Sequence, residues 1–489
     1  MKKSQEVIFA ILFMLVASNC EQESYFMNDL GYYSYTEGDI YEEEPSGENY
    51  FEYIENPFVK VTEQSVSTFS VDADGGSYSN MRRFFKLDRK PPKGAIRIEE
   101  FLNYFTFDYD EPVNGENVAM NYELSTCPWN ENNHLLRIGL KGKSIPENDL
   151  PPSNFVFLID VSGSMDSDDK LGILKNGFKR LTDNLTNQDR IAIVTYSGSV
   201  GVHLQSTTGN NKDQIKKSID KLKAGGSTAG GSGIKMAYKI AEDHFIEGGN
   251  NRIILGSDGD FNVGPSTTEE LVVLIEEKRE SDVYFTVLGV GTGNLNDHMM
   301  EQIANKGNGN YEYIDNAAQV EKVFVHEKSK FYTVAKDSKF QIDFNPNMVD
   351  AYRLIGYENR VLAEEDFEND TVDAGEIGAG QTITAMYELQ LLDVLNVEKY
   401  ASLDFRYKFP DEDQSRLINM DILTTPEAIN SASENQRFAA AVTGFGLILR
   451  ESEYMGNLSK QTIINLGEGA LGLDEHGYRG ECLSLMRKL

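Results

Sequence analysis

The stretch Phe155-Val156-Phe157-Leu158-Ile159-Asp160-Val161-Ser162-Gly163-Ser164-Met165 decides how the chain reads. An unbroken apolar run ends in a carboxylate. Runs of this kind mark strands buried on both faces, as in parallel sheets covered by helices. Such sheets bind ligands in the crevice at the carboxyl ends of their strands. Asp160, Ser162 and Ser164 fall at that end, and their spacing of two turns alternate side chains to one side. Three hard oxygen donors in one loop suit a hard cation such as Mg2+. A serine-rich turn after a strand accounts for the same residues, and the stretch alone leaves both readings open.

Around it, from Asn154 to about Lys336, strand and helix patterns alternate. Strands are expected at 154–160, 190–196, 200–205, 252–257, 283–289 and 311–314. Helices are expected at 169–185, 211–222, 231–245, 267–279, 296–305 and 317–330. This alternation predicts an α/β domain over 151–336 with a doubly wound, mostly parallel sheet. Two further loops then offer oxygen at the same sheet edge. Gly225-Gly226-Ser227-Thr228-Ala229-Gly230-Gly231-Ser232-Gly233 precedes a helix, its glycines allow close approach of the backbone, and Thr228 brings a hydroxyl. The strand Arg252 to Ser257 ends in Asp258-Gly259. Asp160, Ser162, Ser164, Thr228 and Asp258 are therefore the candidate metal ligands.

This set, in this order on this pattern, resembles the von Willebrand factor type A domain and its metal-ion-dependent adhesion site. Asp160, Ser162 and Ser164 match the motif D-x-S-x-S, and Thr228 matches the later threonine. Asp258 matches the aspartate of T-D-G, with Ser257 in place of the threonine, outside the ligand set. The resemblance implies that both serine hydroxyls bind the metal directly and that the other groups bind directly or through water. It also implies that one position stays open for a carboxylate from a partner protein. Mg2+ is the expected ion, with Ca2+ or Mn2+ as alternatives. Asp166, Asp168 and Asp169 read as residues favoured at a helix N-terminus.

The flanks extend the resemblance to a bacterial family of secreted von Willebrand type A lipoproteins. Ser67-Thr68-Phe69-Ser70-Val71-Asp72-Ala73-Asp74 and Arg97 to Phe105 are similar to its amino-terminal flanking domain. Phe438-Ala439-Ala440-Ala441-Val442, Phe445 to Arg450 and Gly477-Tyr478-Arg479 are similar to its carboxy-terminal domain. We expect a small amino-terminal α+β flanking domain over 58–114. A β-rich domain is expected over 115–150 and 337–425, with the α/β domain inserted in it. A helical carboxy-terminal domain follows over 426–489, where Ser433-x-x-Gln436 predicts a capping box.

The chain begins with Lys2, Lys3 and an apolar stretch from Val7 to Ser18, too short for a bilayer span of roughly 20 residues. Residues 1–20 read as a signal peptide whose lipobox places the lipidated residue at Cys20. From Glu21 to Pro57 there are eleven acidic residues and no Lys or Arg, which predicts a disordered acidic tether over 21–57. The formal net charge of −32 repels phosphate backbones, so nucleic-acid binding is not expected. Cys127 and Cys482 read as buried free thiols.

Enzyme motifs fail. Gly142-Lys143-Ser144 has Arg137 where a phosphate loop needs glycine, and no H-E-x-x-H or G-x-S-x-G occurs. His203 is the one candidate base for a nucleophilic Ser162 or Ser164. The expectation is a non-catalytic, lipid-anchored envelope protein, placed at the outer membrane on its periplasmic or outer face. It would bind a partner's acidic side chain through a divalent cation; its oligomeric state is left open. Two alternatives remain: an assembly or maturation factor, and an enzyme hidden in a flanking domain.

Overall fold

The computed structural model describes residues 47–50, 53–71, 73–226, 230–259, 268–394 and 398–489. The signal peptide, Cys20, residues 21–46 of the expected tether and Thr228 lie outside the described residues.

The central sheet runs in the order Tyr311–Ile314, Tyr284–Val290, Asn250–Ser257, Ser153–Asp160, Arg190–Tyr196, Val200–Thr208. Only the last strand is antiparallel to its neighbour. Every residue of Ser153–Asp160 is buried, because helices cover both faces. Phe155, Phe157 and Ile159 pack on one side against Leu174, Phe178, Ile215 and Phe324. Val156 and Leu158 pack on the other against Ile234, Tyr238 and Ile275. Two apolar faces explain the unbroken run, since a half-exposed strand would alternate. The Phe157 and Phe178 rings stack 4.1 Å apart at 20°.

Two antiparallel sheets form a sandwich beside this domain. One runs Val59–Lys60, Val349–Ile355, Thr382–Leu391, Asn133–Gly142, Val118–Thr126. The other runs Val361–Leu362, Val66–Ser70, Thr333–Phe344, Ala401–Lys408, Arg416–Ile422, with Gly375–Gly378 paired to Thr333–Phe344. Their inner faces share one core that includes Phe69, Leu136, Ile138, Phe340, Ile342, Tyr387 and Phe405. Chain from both sides of the α/β domain builds the first sheet.

Two expected boundaries are corrected. Residues 58–114 form no separate domain: Val66–Ser70 is a sandwich strand, with Phe69 opposite Phe340. The helices Gly76–Lys86 and Ile98–Asn103 join the carboxy-terminal helices in a third core, where Tyr78, Phe101 and Phe105 meet Phe438 and Phe445. Nor is the expected tether free up to Pro57. Glu48 pairs with Arg83, Asn56 donates to the Leu354 and Gly356 carbonyls, and Glu55 accepts from Ser452. These acidic and polar residues find partners far along the chain, which composition does not register.

The carboxy-terminal helices are Glu434–Arg450, Lys460–Glu468 and Tyr478–Met486. Half of the expected capping box forms. Ser433 Oγ accepts the Gln436 N–H at 3.1 Å. The Gln436 side chain reaches Ser125 Oγ at 2.8 Å instead of returning to Ser433, whose N–H donates to Glu123. Ser433→Ala is expected to cost about 1 kcal/mol, read from the denaturant midpoint. Cys127 and Cys482 are free and buried. Among the described residues no helix is long and apolar enough to cross a membrane.

Candidate metal centre

Asp160 ends the central strand and is fully buried. Its two oxygens are held by fixed donors. Oδ1 accepts the Ser162 N–H at 2.8 Å, and Oδ2 accepts the Ser257 hydroxyl at 3.1 Å. Ser257 Oγ in turn accepts the Gly259 N–H at 3.0 Å. The carboxylate is thus oriented from both neighbouring loops. Ser162 is nearly buried and Ser164 is exposed, with their hydroxyl oxygens 3.0 Å apart. The pair stands at the open edge of the crevice.

The glycine-rich loop docks on this first loop through its backbone. Gly225 N–H donates to the Val161 carbonyl at 2.7 Å, and Gly163 N–H donates to the Gly226 carbonyl at 3.0 Å. Gly226 sits at φ +95°, where a side chain would be strained and its Cβ would meet Ser197 Oγ at 3.2 Å. The described part of the loop ends there, two residues before Thr228. The third loop brings Asp258, fully buried. Asp258 Oδ2 accepts Lys170 Nζ at 3.0 Å, and the same ammonium donates to Asn294 Oδ1 at 2.8 Å.

Burial pushes the Asp160 carboxyl up to about 6; the charge of Asp258 adds to the rise, and the hydrogen bonds from Ser162 and Ser257 oppose it. Burial, with the Asp160 charge behind it, also lifts the Tyr196 phenol well above its ordinary value. Lys170 thus pairs with Asp258, whereas the hydrogen bonds of the Asp160 carboxylate come from Ser162 and Ser257. The candidate donors described here are two carboxylates and two hydroxyls, which is the chemistry of a hard divalent ion. No group of three or more His, Cys, Asp or Glu side chains suited to a metal forms among the described residues. Hydroxyls and water would have to complete the shell.

The sequence reading placed Asp160, Ser162, Ser164 and Asp258, and the fold puts all four at or just beyond the carboxyl ends of adjacent strands. It missed Lys170, Asn294 and the hydrogen bond from Ser257 to Asp160. Lys170 follows a run of acidic residues and reads locally as a helix residue; only the fold brings it to Asp258. His203 is exposed and engaged with the Ser218 carbonyl at 2.9 Å, not with either serine.

Three family models match the chain: von Willebrand factor type A domain over 154–326, von Willebrand factor over 44–137, and uncharacterized protein YfbK, C-terminal, over 329–489. The uncharacterized YfbK protein of Escherichia coli K12 is 42% identical over 471 residues, covering 90% of this chain and 81% of that protein. Human inter-alpha-trypsin inhibitor heavy chain H3 is 30% identical over 166 residues, which are 32% of this chain and 18% of the heavy chain. A von Willebrand factor type A structure from Catenulispora acidiphila is 16% identical with a TM-score of 0.45, covering 77% of this chain and 91% of that one.

Proposed function

The chain belongs to the YfbK family, built around a von Willebrand factor type A domain, and from that premise we propose that it is a non-catalytic receptor for a protein partner. Domains of this type are protein-interaction modules. Asp160, Ser162, Ser164, Thr228 and Asp258 would hold a divalent cation, with Mg2+ expected and Ca2+ or Mn2+ as alternatives. The bound ion supplies a Lewis-acidic position open to an acidic side chain of the partner. The carrying observation is the buried Asp160 carboxylate, raised by burial and by Asp258, with two hydroxyls 3.0 Å apart at its open side.

The chain's own groups set up that edge. Ser257 and the Ser162 N–H fix the rotation of Asp160. The hydrogen bonds of Gly225 and Gly226 hold the loop that leads to Thr228 against the serines. Lys170 pairs with Asp258 and holds it in place. The lipobox ending at Cys20 supports a lipid anchor in the cell envelope, at the outer membrane.

Calorimetry with Mg2+ or Mn2+ on the mature chain tests the ion. Binding is expected for wild type and none for Asp160→Ala; absent heat in wild type, or equal heat in the variant, refutes the site. Pull-down from native envelope should then yield a partner that EDTA releases and Asp258→Ala protein does not retain. A partner retained in EDTA would place the interaction elsewhere and favour an assembly complex.

A further inference from the structure

Residues Gly47–Tyr50 lie along the loop Gly291–Asn296, which leaves the strand Tyr284–Val290. Asn49 pairs in parallel with Asn296. Its N–H donates to the Leu295 carbonyl at 2.8 Å and its Nδ2 to Asn296 Oδ1 at 3.3 Å. Glu48 Oε1 accepts the Gly293 N–H at 2.8 Å. Arg83 forks onto both Glu48 oxygens at 2.7 and 2.8 Å, and the two side chains are only 7% and 4% exposed. Tyr50 OH donates to Glu48 Oε2 at 2.8 Å and accepts from Arg83 and Asn80. Burial works to raise the Glu48 carboxyl, but the Arg83 bonds and charge outweigh it and hold it below its ordinary value. The pair is charged at neutral pH.

The other side of the same loop faces the metal centre. Asn294 Oδ1 accepts Lys170 Nζ at 2.8 Å, and that ammonium holds Asp258 Oδ2 at 3.0 Å. The contacts leave no slack. A Cβ on Gly291 would lie 2.3 Å from the Lys170 side chain, and one on Gly259, beside Asp258, would lie 2.5 Å from the Asn296 nitrogen.

We propose that the strap Gly47–Tyr50 is a latch that weakens cation binding at the centre by keeping Lys170 on Asp258. This rests on the reading of Asp258 as part of the cation site. An ammonium and a divalent ion compete for the same carboxylate charge. Asn294 gives Lys170 a second acceptor and so favours the paired position. The strap fixes the loop that carries Asn294, through Gly293 and Leu295 on either side of it. When the strap lifts, the loop loses those anchors and Lys170 is free to leave Asp258.

The test is a Mg2+ titration by calorimetry on the mature full-length chain, in wild type, Glu48→Gln, Lys170→Met and the double variant. Glu48→Gln is expected to tighten Mg2+ binding by about fivefold or more. In the Lys170→Met background that gain should vanish, because neighbours acting through one contact are not additive. Unchanged or weaker binding in Glu48→Gln overturns the latch, as does an equal gain with Lys170 absent. Asn294→Ala, which removes only the second acceptor of Lys170, should also tighten binding and serves if Glu48→Gln folds poorly; no gain there counts against the latch. Amide exchange in EDTA supplies a metal-free readout: residues 291–296 should exchange faster in Glu48→Gln. If wild type takes no Mg2+, the metal-site reading falls, and exchange decides the latch: no change at 291–296 overturns it.

Discussion

Replacing Arg97 with alanine is expected to cost about 3–5 kcal/mol of folding stability, read as a fall in the urea midpoint. Arg97 is 1% exposed and lies between two fully buried carboxylates. Its Nη1 donates to Asp297 Oδ2 at 2.5 Å and its Nε to Glu100. Both acids have other donors as well: the Ser77 N–H bonds Glu100 at 2.7 Å, and the Tyr311 hydroxyl bonds Asp297 at 2.8 Å. Those bonds orient the carboxylates but do not neutralise them. Burial works to lower the Arg97 pKa, and Asp297 and Glu100 overcome it and drive it well above its ordinary value, so the guanidinium stays charged. Without it, two charges are left in the interior. Arg97→Lys keeps the charge but not the fork and should recover only part of the loss. Lys60→Ala breaks the exposed pair with Asp350 and is expected to change stability by no more than about 0.5 kcal/mol. A loss below about 1 kcal/mol for Arg97→Ala would mean that the cluster relaxes or hydrates.

The cluster also explains why the flanks are inseparable from the α/β domain. Asp297 opens the helix Asp297–Lys306 of that domain, whereas Arg97 and Glu100 belong to the amino-terminal helices. Arg82 repeats the arrangement with Asp315 at 2.5 Å, and Arg360 with Glu301 at 3.0 Å. Sequence carries no sign of the pairings with Asp297, Asp315 and Glu301, since each joins residues far apart in the chain. The α/β domain was legible because its evidence is local: buried runs such as Phe155 to Ile159 end in punctuated loops. The sandwich was legible only in part. Neither Arg416–Ile422 nor Val66–Ser70 reveals its partner in sequence: the first pairs with Ala401–Lys408 and the second with Thr333–Phe344. The acidic leader shows the same limit. A charge run counts acids, but Glu48 is decided by Arg83. At the candidate metal centre Asp160, Ser162, Ser164 and Asp258 were readable from their spacing, whereas Lys170, which pairs with Asp258, was not.

Asp160 is expected to oppose the metal-free fold and to support the loaded one, so Asp160→Asn should have opposite effects in the two states. The folded carboxyl titrates at about 6, against roughly 3.9 in an unfolded chain. Between those values the folded state binds the proton more tightly, so stability falls as pH rises through that window. Above it the full penalty, on the order of 3 kcal/mol, is present. An amide at this position removes that charge, and the Ser257 hydroxyl can turn to suit it. In EDTA at pH 7, Asp160→Asn should therefore melt at a higher temperature than wild type, with the gap closing toward pH 4. With saturating Mg2+ the wild type should gain stability by mass action. The variant should gain none, because it lacks the oxygen charge that the ion needs. A lower melting temperature for the variant in EDTA would mean that Ser162 and Ser257 already compensate the buried charge. A Mg2+-induced rise in the variant would remove Asp160 from the ligand set. A stabilised apo variant that ignores Mg2+ would show that the buried charge is kept for binding, at the expense of the fold.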